Sequence, residues 1–167
     1  MSTSLYDLTV PVFVRGFASL SNILEKGRAF ADEQGIDHAE LLNARLIDDM
    51  APLTAQIQRA SDTSKGSIVR LGGILNVPMA DNEASFDELQ ARIAATVAFL
   101  KDVPRDAIDG REDATVILET PNRKVEFVGR GYVLDFVIPN FFFHVTTAYA
   151  LLRQRGVPIG KLDYLSR

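Results

Sequence analysis

Apolar residues return every three or four positions through four stretches of this chain, the spacing that lines one face of a helix. Leu5, Leu8, Val12, Gly16, Leu20, Ile23, Leu24 and Phe30 trace the first face, and Gly35 supplies a stop. Pro11 has no amide hydrogen for the Asp7 carbonyl, so a kink or a late start is expected there. After a short helical turn at 40–44, Asp48 or Asp49 is expected to cap a second long helix entered through Pro52. Leu53, Ile57, Ala60, Ser64, Ile68 and Leu71 form its inner stripe, and Gly72 and Gly73 close it.

The third helix carries the clearest local signal. Ser85-Phe86-Asp87-Glu88 is a capping box, followed by the stripe Phe86, Leu89, Ile93, Val97 and Leu100. Val103 precedes Pro104 and is biased out of the helical region, which ends the helix near Asp102. Residues 115–119 and 124–128 are rich in β-branched side chains and flank Thr120-Pro121-Asn122-Arg123, a turn-forming tetrapeptide, so a small hairpin is expected. Such a hairpin is marginal alone and must lie against the helices. The fourth helix is expected over 131–155 with Pro139 inside it, leaving the Asp135 carbonyl to find another partner. The tail from 157 onward reads as extended, anchored by Ile159, Tyr164 and Leu165.

These elements predict an all-α protein, a four-helix bundle with a small β-hairpin between the third and fourth helices, folded as a single domain over 1–167. At 167 residues the core is self-sufficient. Cysteine is absent, which excludes disulfides, thiolate metal sites and a thiol nucleophile, and fits a reducing cytoplasm. A net charge of −4, with no basic cluster, disfavours nucleic-acid binding. No leader pattern and no uninterrupted apolar run of spanning length is present, so no membrane association is expected and the expected location is the cytoplasm.

Little reactive chemistry is left once the core is placed. Of the two histidines, His38 lies in the polar linker Gly35-Ile36-Asp37-His38 and reads as a solvent-exposed loop residue. His144 sits one helical turn after Asn140, within Pro139-Asn140-Phe141-Phe142-Phe143-His144, an apolar run holding a few aligned polar groups. It reads either as a buried histidine bonded to a carboxylate or carbonyl of a neighbouring helix, or as a metal ligand or general base. Asp49, Asp62 or Asp135 could complete a mixed site with it, and no spacing favours one of them. Phe141, Phe142 and Phe143 point about 100° apart around one helix, so at least one meets something other than the core. Gly129-Arg130-Gly131 reads as a strand-to-helix connector, since the glycine pattern of a dinucleotide turn breaks at Leu134.

Long strings in the chain resemble the DUF1993 family, a domain of unknown function. They are Pro139-Asn140-Phe141-Phe142-Phe143-His144-Val145-Thr146-Thr147-Ala148-Tyr149-Ala150, then Arg155-Gly156-Val157-Pro158-Ile159-Gly160-Lys161, with Leu42-Asn43-Ala44-Arg45-Leu46 upstream. That family is similar to the DinB/YfiT-like helical bundles. The resemblance implies helices joined by long crossovers, often dimers, and in many relatives a divalent metal held by three histidines, one on the second helix and two on the fourth. Some relatives bind or transfer small thiols. Here only His144 answers to a ligand; Ala148 stands one turn on, and the second helix has no histidine. No metal and no cofactor are therefore expected.

Three functions remain open at this stage. The leading one is a non-metal small-molecule-binding or structural bundle, its pocket built from His144, Asn140, Asp49, Asp62 and Asp135, with catalytic residues unknown. The alternatives are a metal-dependent enzyme with a degenerate site and a dimeric interaction module. The expected partners are a second copy of the chain and an unidentified small molecule.

Overall fold

The computed structural model describes residues 3–120 and 122–165. It is mostly helical, with one two-stranded antiparallel sheet. Helix α1 (Leu5–Gln34) opens on a capping box, in which Ser4 Oγ accepts from the Asp7 amide and the Asp7 carboxylate accepts from the Ser4 amide. It runs through Pro11 without a late start, because that box already fixes the first turn, and it ends at Gly35 with φ 64°. Phe13, Phe17, Leu20, Ile23 and Leu24 of α1 are fully buried.

Helix α2 (His38–Leu42) leads to α3 (Leu53–Gly72). Asp48 and Asp49 do not cap α3; both are exposed, and the cap position is Pro52, with no side-chain bond. The α2 end and the residues just past it supply acceptors instead: the Ala44 carbonyl takes the Leu53 amide at 3.0 Å, and the Leu42 carbonyl takes Thr54 Oγ1 at 3.1 Å. All six residues of the anticipated inner stripe of α3 are buried. Helix α4 (Phe86–Lys101) starts at Ser85, whose side chain accepts from the Glu88 amide, while the Glu88 carboxylate reaches back one residue further than a capping box requires, to the Ala84 amide.

The connection from α3 to α4 is pinned by a buried cation that sequence reading passed over. The Arg92 side chain is 2 % exposed and pairs with Asp62, Asp81 and Glu83, each at 2.9 Å, and with the Ala80 carbonyl at 3.0 Å. A guanidinium removed from water is tolerated only with such partners. Lys65, also buried, donates to the Val77 carbonyl at 2.5 Å.

After the short α5 (Arg105–Ile108), strands β1 (Thr115–Thr120) and β2 (Arg123–Val128) pair with Val116 opposite Phe127, Leu118 opposite Val125 and Thr120 opposite Arg123. Pro121 of the anticipated turn lies outside the described residues. The strands run straight into helical structure. Gly129 and Arg130 donate to the carbonyls of Ala114 and Glu112, and a Cβ at Gly129 would collide with the Arg111 carbonyl, so only glycine fits there.

The last long helical rod differs from the single α-helix expected. It begins two residues earlier, with α6 (Gly129–Gly131), passes through a π-helical segment (Tyr132–Val137) and continues as α7 (Ile138–Gln154). The Ile138 amide donates to the Val133 carbonyl five residues back, and Pro139 follows where the register narrows again. The proline thus sits at a change of helical register, and Leu134 and Asp135 beside it are exposed, so their backbone can reach water. The tail is not fully extended: α8 (Lys161–Tyr164) forms one turn, with the Asp163 carboxylate accepting from the Gly160 amide and pairing with Lys26 at 2.5 Å. Ile159 is buried and Tyr164 meets Thr146 at 2.9 Å, whereas Leu165 is 47 % exposed, at the edge of a concavity shared with Val12 and Phe142.

Helix α7 packs on α3 and α1, and α4 packs on α1 and α3. No helix of the described residues is long and apolar enough to cross a membrane.

Candidate functional site

The seam between α3 and α7 gathers the polar side chains that the core leaves over. Gln56 and Thr63, seven residues apart, share one face of α3; Asn140 and His144, four apart, share one face of α7. Across the seam Asn140 Nδ2 donates to Thr63 Oγ1 at 2.8 Å, and His144 Nδ1 lies 2.9 Å from Gln56 Oε1. The Gln56 amide is itself oriented, because its Nε2 donates to the Ala51 carbonyl at 2.9 Å. Its oxygen must then face the ring and can only accept, so His144 Nδ1 carries the hydrogen.

Burial, helped by the positive charge of Arg59, pushes the His144 imidazole down to about 4 from its ordinary 6.5. The ring is therefore neutral near pH 7, and its Nε2 is a lone pair. That nitrogen has no protein partner among the described residues and is not sealed from solvent. Arg59 is exposed and forms no ion pair among the described residues. The seam thus offers one neutral acceptor and one free cation.

Beside it runs a mostly apolar groove of about 530 Å³ between α7 and the segment after α2, where Thr146 and Thr147 join Leu46, Met50, Phe142, Phe143 and Ala150. The three phenylalanines separate as their helical angles require. Phe141 is buried against Phe13 and Phe17, in space that Gly16 leaves open; Phe142 is half-buried; Phe143 is 55 % exposed and sets its ring edge against His144.

The three carboxylates considered with His144 go elsewhere. Asp62 turns to α4 and pairs with Arg92. Asp49 is exposed in the turn before α3. Asp135 lies on the π segment and lines a separate cleft under the hairpin. His38 is no free loop residue: it opens α2, its Nε2 lies 2.7 Å from Asp32, and its ring meets Phe86 edge-on. Among the described residues no three His, Cys, Asp or Glu side chains converge as a metal site would need. The set at the seam does not fit a three-histidine metal either. Gln56, the α3 residue at His144, is an amide already committed to the ring; Ala148 is fully buried; Arg59 would repel a cation.

Gln56, Arg59 and Thr63 escaped the sequence reading. Their one signal is a polar stripe at i, i+3 and i+7 of α3, beside the apolar one.

A family model described as a domain of unknown function, DUF1993, matches residues 5–165. Among solved structures, a crystal structure of a DinB family member protein from Shewanella denitrificans is similar, at 37 % identity and a TM-score of 0.88, covering 96 % of this chain and 91 % of that one. Comparison with curated proteins gives no match.

Proposed function

The chain belongs to the DUF1993 family, and on that premise we propose that it is a small-molecule-binding protein, a single DinB-like four-helix bundle of cytoplasmic location, whose site is the α3–α7 seam. The long helices α1, α3, α4 and the rod ending in α7 are the four of the bundle. One observation carries the reading: a neutral, oriented His144 keeps an unpartnered acceptor nitrogen within the field of the unpaired Arg59, one residue along α7 from Phe143, which lines the groove. Few polar anchors around a mostly apolar cavity is what small ligands need. The ligand class is an apolar body with an anionic head, its charge toward Arg59 and a donor toward His144 Nε2. No metal takes part.

Isothermal titration with medium-chain 3-hydroxy carboxylates as probes tests this. Arg59→Gln is expected to weaken binding about tenfold, as loss of a charge-assisted bond does, and His144→Phe to weaken it less. Affinity that ignores both substitutions overturns the assignment. So does a full equivalent of bound Zn, Ni, Fe or Mn in metal-supplemented, untagged protein.

The groove supports a second reading, a homodimer in which Phe143, Leu46 and Ile47 meet a second copy. Their exposures of 55 %, 36 % and 62 % favour it, since large exposed apolar side chains grouped together mark interfaces.

A further inference from the structure

We propose that the cleft between the hairpin and the π-helical segment is a second binding site, distinct from the seam, for a flat ring-bearing zwitterion. The inner face of the hairpin carries Val116, Leu118 and Thr120 on β1, opposite Phe127, Val125 and Arg123 on β2. Burial fades along it. Val116 is buried, Leu118 and Val125 are half-covered, and Thr120 and Arg123 are exposed, so the hairpin rises off the helices toward its tip. A cleft of about 450 Å³ opens beneath, inside the range of small-molecule pockets.

One wall is aromatic and held firm. Tyr132 and Phe136, four residues apart on the π segment, stack at 5.9 Å and 17°, and Phe127 of β2 closes against both at 5.4 and 5.6 Å. Arg70 Nη1 bonds the buried Tyr132 hydroxyl at 3.1 Å, which fixes the ring that backs Phe136. Phe136 is half-buried and lines the cleft, so a flat ring laid on it gains stacking as well as burial.

The rim carries the charges. Arg123 and Asp135 both line the cleft, neither pairs its charged group with anything among the described residues, and they do not reach each other. Opposite charges held apart across an aromatic-walled cleft match a ligand with an anionic group at one end and an ammonium at the other. An aromatic amino acid has that chemistry.

The test is an NMR titration of isotope-labelled full-length protein with tryptophan, indole-3-acetate and tryptamine. All three are expected to shift the amides of Phe127, Asp135 and Phe136. Arg123→Gln should weaken indole-3-acetate about tenfold and spare tryptamine, while Asp135→Asn should do the reverse. Both replaced side chains are exposed, and far-UV circular dichroism checks the fold of each variant. His144→Phe must leave all three affinities unchanged, which separates this site from the seam: loss there would assign the binding to the seam and overturn the proposal. It is also overturned if no probe shifts the hairpin at about 10 mM, the weak end of specific binding. Equal loss of every probe in both variants would overturn it too, as would hairpin shifts that depend on protein concentration alone, the mark of an interface between copies.

Discussion

A carbonyl two steps away decides what His144 shows to solvent. The Ala51 oxygen orients the Gln56 amide, and the amide leaves the imidazole one tautomer. The folded ring stays neutral down to about 4, while an unfolded histidine takes its proton near 6.5. Between those values the unfolded chain binds more protons, so the contribution of this group is intact above the upper value, declines as pH falls, and levels off below the lower one. The full loss is about 3 kcal/mol, readable by urea unfolding at a series of pH values. Gln56→Glu reverses the sign. A carboxylate at the ring raises its pKa above the ordinary value, so its stabilisation is present at acidic pH and lost as pH rises through the new pKa. An NMR titration that leaves His144 near 4 in that variant contradicts the contact between positions 56 and 144. Asn140 and His144 were legible in sequence because one helix aligns them within an aromatic run. Their partners stand 77 and 88 residues away, and spacing along α7 carries no information about which face of α3 it meets.

Within the elements, local chemistry was legible where it is local. The Ser85 cap, the Gly35 and Gly73 stops and the inner stripe of α3 involve neighbours in sequence. The exceptions involve distance or register. Asp48 and Asp49 looked like caps, but the Ala44 carbonyl, two residues past α2, already holds the Leu53 amide at the start of α3. The π segment is hidden in an apolar run whose periodicity shifts by a single residue. Arg92 of α4 carries no signal in the sequence, yet it holds the connection between α3 and α4. Two of its carboxylates respond differently: burial raises Asp62 despite the cation, whereas at Glu83 the bonds from Arg92 and Gln58 outweigh burial and lower it. Arg92→Ala leaves a cavity and a partly buried Glu83 without its cation. It is expected to cost about 3 kcal/mol in urea unfolding, the low end for breaking a buried pair because Asp62 and Asp81 are half exposed. A loss under about 0.5 kcal/mol, the size of an ordinary surface change, would show that the connection does not need it.

Across the whole molecule, the helices bury their apolar faces against one another and leave two unlike concavities. The groove at α7 is apolar and faces outward with Phe143; the cleft under the hairpin is aromatic with charged edges. Should the groove serve a second copy, light scattering at about 50 µM, well above a micromolar Kd, will return twice the 18.4 kDa chain mass. Phe143→Asp will then return the single mass without loss of fold. A single mass for the unsubstituted protein removes the dimer reading and leaves the groove to small ligands.

The widened turn at Tyr132–Val137 also acts as a hidden length gauge. Deleting one residue from it would let an ordinary α-helix run from Gly129 to Gln154, turning everything upstream by about 100° around the axis. When the deleted residue precedes Asp135, the strands, clasped to the rod at Gly129, would swing with it and carry Arg123 away from Asp135. Such a deletion, if it leaves the core thermally sound, would therefore abolish the cleft, so the protein stores the shape of that cavity as a residue count.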